Sequence, residues 1–177
     1  MIKSKEDLKE YLEADYIAIH RPSRRSPVWR YLVLLRKTEY YKNTENFIFG
    51  KIYSYLLQRY SLLTGISIHI NSFGKGLGLF HYGSIVVNHT AKFGDWCVIQ
   101  NGVNVAANVH GGGGIYLAPG AKINENIEIG NNVIIGSNAV VTKNILEDHV
   151  TYAGIPAKKI SDKGFVFSQN NDTEIKS

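Results

Sequence analysis

Between Val87 and Val141, apolar residues recur at every sixth position along the chain. Cutting the sequence into six-residue blocks from Val87 gives ten consecutive blocks that end with VTKNIL at 141–146. The first position is large and apolar in nine of the ten blocks, and Gly111 is the exception. The fifth position is apolar or small in all ten blocks. Neither the 3.6-residue period of a helix nor the two-residue period of a strand produces this pattern.

A six-residue period indicates a short strand and a tight turn, repeated many times. The first residue of each block then points inward, and Gly, Asn and Ser residues supply the turns. Three blocks close one triangular coil, and successive coils stack at about 4.8 Å, the spacing between strands of a sheet. The repeat therefore predicts a mainly β fold, a parallel β-helix of four to five coils counted from about His69.

Residues 1–64 carry a pattern typical of helices. Pro22 and Pro27 separate a first helix from a second, which holds Trp29 and the apolar residues after it. In the run 47–63, apolar residues recur at three- and four-residue steps, which predicts an amphipathic helix that Gly65 ends.

Three regions follow from these patterns. We predict an α-helical N-terminal region at 1–64, a β-helical domain at 65–160 and a C-terminal tail at 161–177. The Ile155–Pro156 step predicts a fixed turn where the chain leaves the repeat. The tail is polar from Ser168, and we expect that part to be mobile.

The net charge of +5 is confined to the helical region. Residues 1–64 hold 12 Lys and Arg against 7 Asp and Glu, whereas residues 65–177 hold 8 of each kind. The excess favours an anionic partner or a membrane surface for the helical region, although a solvated helix surface is the simpler interpretation. Nucleic-acid binding is not expected, because the basic residues follow no recognised motif and the solenoid is neutral.

The sequence predicts a cytoplasmic protein. Its first twenty residues lack the apolar stretch of a signal peptide, and no apolar run is long enough to span a membrane. The basic helical region also allows peripheral association with the inner face of the membrane. The single cysteine, Cys97, excludes an internal disulfide, and we interpret it as a small buried residue.

Five segments of the chain after Gly65 resemble known enzymes. The stretch SIHINSFGKGLGLFHYGSIVVNHTAKFGD at 67–95 resembles the catalytic region of serine acetyltransferases, and GIYLAPGAKINENIEIG at 114–130 resembles the coils that follow it. The 18 residues FGDWCVIQNGVNVAANVH resemble the stretch before the catalytic His of galactoside- and maltose-type acetyltransferases. The segments SNAVVTKNI and AGIPAK resemble the coenzyme-binding region of that second branch. Over about residues 65–160 the chain is therefore similar to bacterial hexapeptide-repeat acetyltransferases, closest to the serine acetyltransferase-like and polysaccharide O-acetyltransferase branch.

The resemblance implies a left-handed parallel β-helix, a homotrimer, and acetyl-CoA as co-substrate in the cleft between two subunits. It places the general base at His81, and the second branch points to His110 as another candidate. No metal is expected; the γ-type carbonic anhydrases on this scaffold use two histidines five residues apart, and no such pair occurs here. The coenzyme contacts that the resemblance implies are Pro119, Ser137, Thr142, Lys143 and Lys158.

Coil arithmetic predicts how these residues are arranged. Pro119 and Ser137 differ by 18 residues, one full coil, and should stack in one column. Ser137 and His81 differ by 56, three coils plus two residues, so His81 should lie near the foot of the same face. If the phase extends back unbroken, His81 takes an inward position, where a buried core histidine is the alternative to a base. His110 should point away from His81 within one subunit, and both could line one cleft between two chains.

The expected chemistry is acyl transfer. Neutral imidazole accepts the proton of a hydroxyl as it attacks the thioester. The N–H groups of Gly111–Gly114 are candidates for stabilising the oxyanion, unless this block is only a tight corner. Of the other histidines, His69 is expected to be structural and His89 to point outward.

Two departures from the serine acetyltransferase pattern bear on the acceptor. Phe80 stands where those enzymes have an Asp before the catalytic His, and Ser67 matches the Asp that orients it. A carboxylate bonded to imidazole fixes its tautomer, so that aid is missing. We therefore expect the acceptor to be a sugar hydroxyl of a surface polysaccharide or its precursor. The alternatives are serine O-acetylation in cysteine biosynthesis and, in another class, a non-catalytic solenoid scaffold.

Overall fold

The N-terminal region consists of three helices. A computed structural model describes residues 1–167; the predicted mobility of the tail from Ser168 lies outside the described residues. Ser4 opens the first helix with a reciprocal capping box to Asp7, Pro27 opens the second, and Gly65, at φ 71°, ends the third. Within residues 1–167, no helix has the length and apolar character needed to cross a membrane. The helices are α1 (Lys5–Ala18), α2 (Pro27–Asn43) and α3 (Phe47–Thr64).

The rest of the described chain winds into a three-sided solenoid whose sides we name sheets A, B and C. Sheet A holds β1 (Ile66–Ile68), β3 (Ile85–Val87), β6 (Asn104–Val105), β9 (Lys122–Ile123) and β12 (Val140–Val141). Sheet B holds β4 (Lys92–Phe93), β7 (His110–Gly111) and β10 (Glu128–Ile129). Sheet C holds β2 (Gly78–Leu79), β5 (Val98–Ile99), β8 (Tyr116–Leu117), β11 (Ile134–Ile135), β13 (Thr151–Ala153) and β14 (Lys158–Ser161).

Within residues 1–167, neighbouring strands of the solenoid are parallel, except that β14 runs antiparallel to β13. From Val86 to Val140, partners in sheet A are 18 residues apart, as the three-block coil requires. The five strands of sheet A give about five coils. The predicted left-handed parallel β-helix with an N-terminal helical region is therefore confirmed.

Inward residues of the six-residue blocks form one continuous apolar core. Gly111 lacks a side chain there because the coil below fills the space. A Cβ at Gly111 would lie 2.4 Å from the Phe93 ring, which stacks on Phe73 at 4.8 Å between centroids. Cys97 is buried, as predicted, and burial raises the pKa of its thiol to about 12.

Each coil turns three times, at corners that we name A–B, B–C and C–A after the sheets they join. From the second coil upward, the left-handed corner positions are occupied by Gly or Asn, with two exceptions. The exceptions are Trp96 (φ 59°) and His149 (φ 56°), both at the B–C corner. A bulky residue in this conformation is strained.

The six-residue phase breaks between the first and second coils. The inward residues Leu79 and Val87 are eight positions apart, whereas the inward residues of neighbouring blocks from Val87 to Val141 are six positions apart. The two extra residues enlarge the C–A corner, which places His81 there with its side chain exposed. The phase is therefore not continuous back to His81, so the condition for an inward position is not met, and His89 is exposed as expected.

A buried ion cluster fastens the helices to the first coil. Arg36 of α2 donates to Asp15 of α1 at 2.7 and 3.2 Å and to Glu39 at 3.0 Å. It also donates to the carbonyls of Phe73 and Gly74 in the solenoid. The two carboxylates in turn accept solenoid N–H groups, Asp15 from Leu77 and Glu39 from Asn71. The polar groups of the cluster thus satisfy one another across the junction.

The third helix is apolar on two sides. Its inner side packs on α2 and the solenoid through residues such as Gly50 and Leu57, which are buried. Ile52 and Leu56, two of the apolar residues whose spacing predicts an amphipathic helix, are 47% and 41% exposed. They belong to an exposed apolar stripe at helical spacing that also includes Ile48, Tyr55, Leu62 and Leu63.

The described start of the tail folds back along the B–C corner. The N–H of Phe165 donates to the Asn132 carbonyl at 2.9 Å, and its buried ring packs near Tyr116. Phe167 stacks on Trp96 at 4.6 Å between centroids. This segment therefore covers one corner of the solenoid and leaves the C–A corner uncovered.

Candidate functional site

The C–A corner carries the candidate base and two candidate coenzyme contacts in one column. His81 belongs to the first coil, Pro119 to the third and Ser137 to the fourth. Corner residues of successive coils are joined through the backbone: the N–H of Gly120 donates to the Asn101 carbonyl, and that of Asn138 donates to the Pro119 carbonyl, both at 2.9 Å. The side chains of His81, Pro119 and Ser137 are all exposed. The shared column predicted from coil arithmetic is present.

His81 projects from the enlarged part of this corner. Among residues 1–167, no side chain or backbone group forms a hydrogen bond with its imidazole. The ring of the preceding residue, Phe80, lies 5.3 Å from the ring of His20, which follows α1. A neutral imidazole without internal partners can accept a proton from a bound molecule.

The two positions to which the resemblance assigns acids carry no carboxylate in this chain. Phe80 is half-buried against His20, and Ser67 lies exposed on the outer face of β1. The imidazole of His81 therefore has no carboxylate partner within the described chain to fix its tautomer.

The other coenzyme candidates divide between two corners. Lys158 pairs with Ala153 at the top of sheet C, and a Cβ on Gly136 would lie 2.9 Å from the Ala153 Cβ. Lys158 is therefore close to the upper end of the C–A column. Thr142 and Lys143 are exposed at the A–B corner, one sheet away from that column.

His110 lies on the outer face of sheet B, opposite the C–A corner of its own coil. It is exposed, and it pairs with Lys92 on the strand below and with Glu128 on the strand above. Within one chain, His81 and His110 thus occupy different sides of the solenoid. They can share a site only if two chains contribute to it.

The Gly-rich block is a tight corner, and three of its four N–H groups are already bonded. The N–H groups of Gly112, Gly113 and Gly114 donate to the Ile129 carbonyl, the Asn131 amide oxygen and the Asp95 carbonyl, at 2.8–3.0 Å. The block also lies at the B–C corner, away from His81. These three groups are therefore not free to stabilise an oxyanion, and the alternative of a tight corner fits the block better.

The structure also shows a cleft that the sequence patterns did not indicate. It has a volume of about 490 Å³ and lies between the B–C corner and the folded-back segment at 166–167. The strained residues Trp96 and His149 both line it. The signal available in the sequence was a Trp and a His at corner positions where the other blocks have Gly or Asn. Within residues 1–167, no group of three or more His, Cys, Asp or Glu side chains is arranged to hold a metal ion.

Comparison with known proteins gives consistent results. No protein-family model matches the chain. A serine acetyltransferase of Synechococcus elongatus is 31% identical over 112 residues, which are 58% of this chain and 46% of that protein. The structure of Brucella abortus strain S19 serine acetyltransferase in complex with coenzyme A superimposes with a TM-score of 0.74 at 25% identity, covering 92% of this chain and 71% of that one. Neisseria gonorrhoeae serine acetyltransferase in complex with serine gives a TM-score of 0.72 at 24% identity, covering 89% and 71%.

These comparisons confirm the resemblance at the level of the fold. The structural neighbours are serine acetyltransferases, and the similarity extends over the helical region as well as the solenoid, because it covers about nine-tenths of the chain. The chain spans about half the length of the curated relative it matches.

Proposed function

We propose that this chain transfers an acetyl group from acetyl-CoA to a hydroxyl, with the imidazole of His81 as general base. The observation that carries this proposal is the exposed column of His81, Pro119 and Ser137 on one corner of a solenoid whose structural neighbours are serine acetyltransferases. One of those neighbours was solved with coenzyme A. The residue chemistry and the fold therefore support the same class of reaction.

The coenzyme is proposed to lie along the C–A column. His81 and Ser137 are three coils apart, roughly 14 Å at the spacing between strands, which suits an extended pantetheine arm. Pro119 and Ser137 would line the arm with small side chains and backbone groups. Lys158, near the top of the column, would contact the phosphates as a cation, and Thr142 and Lys143 would do so from the neighbouring corner.

Proton transfer follows from this placement. The acceptor hydroxyl loses its proton to the free nitrogen of His81 as its oxygen attacks the thioester carbonyl. When the tetrahedral intermediate collapses, the carbon–sulfur bond breaks and the imidazolium returns the proton to the departing thiolate. The products are an acetyl ester and free coenzyme A. Oxyanion donors must come from groups other than Gly112, Gly113 and Gly114, whose N–H groups are already bonded.

A homotrimer is part of the proposal, because it would bring His81 of one chain and His110 of its neighbour to one cleft. The exposed apolar stripe on α3 supports assembly, since contiguous apolar surface on a monomer is typical of protein–protein contacts. Light scattering with chromatography tests this part: we expect a mass three times that of the 19.8 kDa chain or a multiple of it. A monomer would contradict a shared site.

Serine is the first acceptor to test, because the curated relative and the structural neighbours are serine acetyltransferases. A sugar hydroxyl of a polysaccharide precursor is the second candidate. It is favoured by one observation: Phe80 and Ser67 remove the carboxylates near His81, and these would have helped to hold a serine ammonium group.

An acceptor screen tests the proposal. Release of the free thiol from acetyl-CoA is measured with serine, free sugars, nucleotide sugars and sugar phosphates. Calorimetry with coenzyme A is run on the same protein. Binding of coenzyme A with acceptor-dependent thiol release is the expected result. No binding and no release would contradict the proposal and favour a non-catalytic scaffold.

A further inference from the structure

A groove of about 520 Å³ lies between α1 and α2 on the outer side of the helical region. Its floor is aliphatic and aromatic, and its rim is formed by long charged side chains. Tyr16 and Trp29 lie against each other in the floor, with 4.9 Å between ring centroids. The floor consists of Leu8, Leu12, Tyr16, Trp29 and Val33, and the rim of Lys5, Lys9, Glu13, Arg24 and Lys37.

The rim carries four cations and one carboxylate. None of the four cations forms an ion pair with any part of the chain between residues 1 and 167, and Lys37 faces the ring of Tyr53 at 5.4 Å. Much of the +5 charge of the chain is therefore gathered around one groove instead of being neutralised by neighbours. Clustered cations over an apolar floor raise the local concentration of anions.

The lining indicates what kind of anion fits. Among the ten lining residues there is no Ser, Thr, Asn or Gln, so a nucleotide base would find few hydrogen-bond partners. An aliphatic chain needs none, and it would cover Leu8, Leu12 and Val33. Compact phosphate oxygens suit the Lys and Arg side chains on the rim.

The groove leads toward the candidate catalytic corner. Tyr16 lies one helical turn before His20, whose ring contacts Phe80, the residue next to His81. At the same end, the carbonyl of Ala18 lies beside Gly78 of β2. The Tyr16 end of the groove is thus separated from His81 by His20 and Phe80, which an extended chain leaving the groove would have to pass.

We propose that this groove binds the phosphate-bearing end of an apolar chain, and that this chain is the carrier of the acceptor sugar. The proposal rests on the proposed function in one respect, since it takes the bound molecule to be the acceptor in its sugar form. Binding in the groove itself depends only on the residues that line it.

Trp29 provides a direct reporter of binding. The chain has two tryptophans, so Trp96→Phe leaves Trp29 as the single tryptophan, whose emission is excited selectively over that of the tyrosines. Decyl phosphate, titrated below its micelle concentration, is the probe; decanol, inorganic phosphate and uridine diphosphate are the comparison ligands. We expect a saturable change in Trp29 emission with decyl phosphate. Decanol and inorganic phosphate should bind at least about tenfold more weakly, because each supplies only half of the contacts.

A charge-matched pair of variants tests the rim. The double change Lys9→Ala and Arg24→Ala should weaken decyl phosphate binding about fivefold or more, and added salt should weaken it further. The control, Lys51→Ala with Lys163→Ala, removes the same charge from exposed positions outside the groove and should stay within about twofold. If the two double variants weaken decyl phosphate binding equally, the binding depends on the net charge of the protein and not on the groove, and the proposal is overturned.

The remaining outcomes are equally decisive. Uridine diphosphate binding as tightly as decyl phosphate would overturn the choice of an apolar chain. Sedimentation with anionic phospholipid vesicles, with Trp29 unchanged by decyl phosphate, would assign the basic region to a membrane surface instead. Calorimetry with coenzyme A separates the proposed acetyl transfer from the proposed binding in the groove. If the protein does not bind coenzyme A, the proposed function is contradicted, but the result for the groove is unaffected. If both hold, the Lys9 and Arg24 variant should raise KM for a sugar alkyl phosphate and leave KM for acetyl-CoA unchanged.

Discussion

Replacing Arg36 by Met should weaken the attachment of the helical region to the solenoid and lower the free energy of unfolding. The guanidinium is fully buried and holds together α1, α2 and the first coil through Asp15, Glu39 and two solenoid carbonyls. Met preserves much of the volume of the side chain and its fit in a helix but removes the positive charge and all five hydrogen bonds. The change therefore isolates the polar role of the side chain.

The loss of stability in the Arg36→Met variant should be large, because the carboxylates of Asp15 and Glu39 are also buried. The side chains of Asp15 and Glu39 are 0% and 2% exposed. Breaking a buried pair by removing one partner typically costs 3–5 kcal/mol, since a charge is left without compensation. We therefore expect the free energy of unfolding to fall by about 3–5 kcal/mol at pH 8.

The loss should depend on pH with a defined sign. Burial raises the pKa of Asp15, and Arg36 opposes that shift. Removing Arg36 raises the pKa further, so the folded variant keeps a proton over a pH range in which the unfolded chain has already lost it. Stability then falls as pH rises through that range. The deficit relative to the wild type should be smaller at pH 5 than at pH 8.

Urea unfolding followed by circular dichroism, at one fixed protein concentration, measures both effects. Arg30→Met is the matched control, because Arg30 lies on the same helix and is exposed. It should change stability by less than about 0.5 kcal/mol. A loss below about 1 kcal/mol for Arg36→Met would show that the cluster contributes little to stability, and equal losses at the two pH values would show that Asp15 does not take up a proton in the variant.

Two further predictions concern packing and reactivity. Gly111→Ala should lower the free energy of unfolding by about 1–3 kcal/mol, because its Cβ would meet the Phe93 ring. Gly50→Ala should raise it by roughly 0.5–1 kcal/mol, because the nearest atom to a Cβ there is 3.7 Å away in a helix. Thermal melts compare the two, and a stabilised Gly111→Ala would contradict the packing. With a thiol pKa of about 12, Cys97 should resist iodoacetamide at pH 8 until urea unfolds the chain, as mass spectrometry will show; rapid labelling of the folded protein would contradict its burial.

The regular part of the solenoid could be predicted because its cause is local and repeated. Each block supplies one inward side chain, and 18-residue coils then place Pro119 and Ser137 in register. The exposure of His81 could not be predicted, because it depends on two extra residues in the C–A corner between Leu79 and Val87. No inward apolar residue in that corner shows where the extra residues lie. The absence of a large apolar residue at Gly111 could not be explained from its own block. The Phe93 ring, which stacks on Phe73 in the coils below, already fills that space.

The helical region shows a different limit. Periodicity identified α3 but could not indicate which apolar side would pack, because both sides are apolar and the helix buries only one of them. The Arg36 cluster and the groove at Trp29 combine residues from separate elements, and spacing within one element carries no signal for such contacts. The column at the C–A corner could be predicted from the 18-residue coil. The surroundings of His81 could not, because they depend on how the helical region packs on the solenoid.

The most direct test of the account is the kcat for acetyl transfer after His81→Gln, measured with the best acceptor from the screen. Glutamine keeps a polar side chain at the corner but cannot act as a base. We expect kcat to fall by about 10²- to 10⁴-fold while the affinity for coenzyme A is unchanged. The control His89→Gln, at the exposed A–B corner, should keep the activity of the wild type. Activity of His81→Gln within about threefold of the wild type would show that His81 is not the general base.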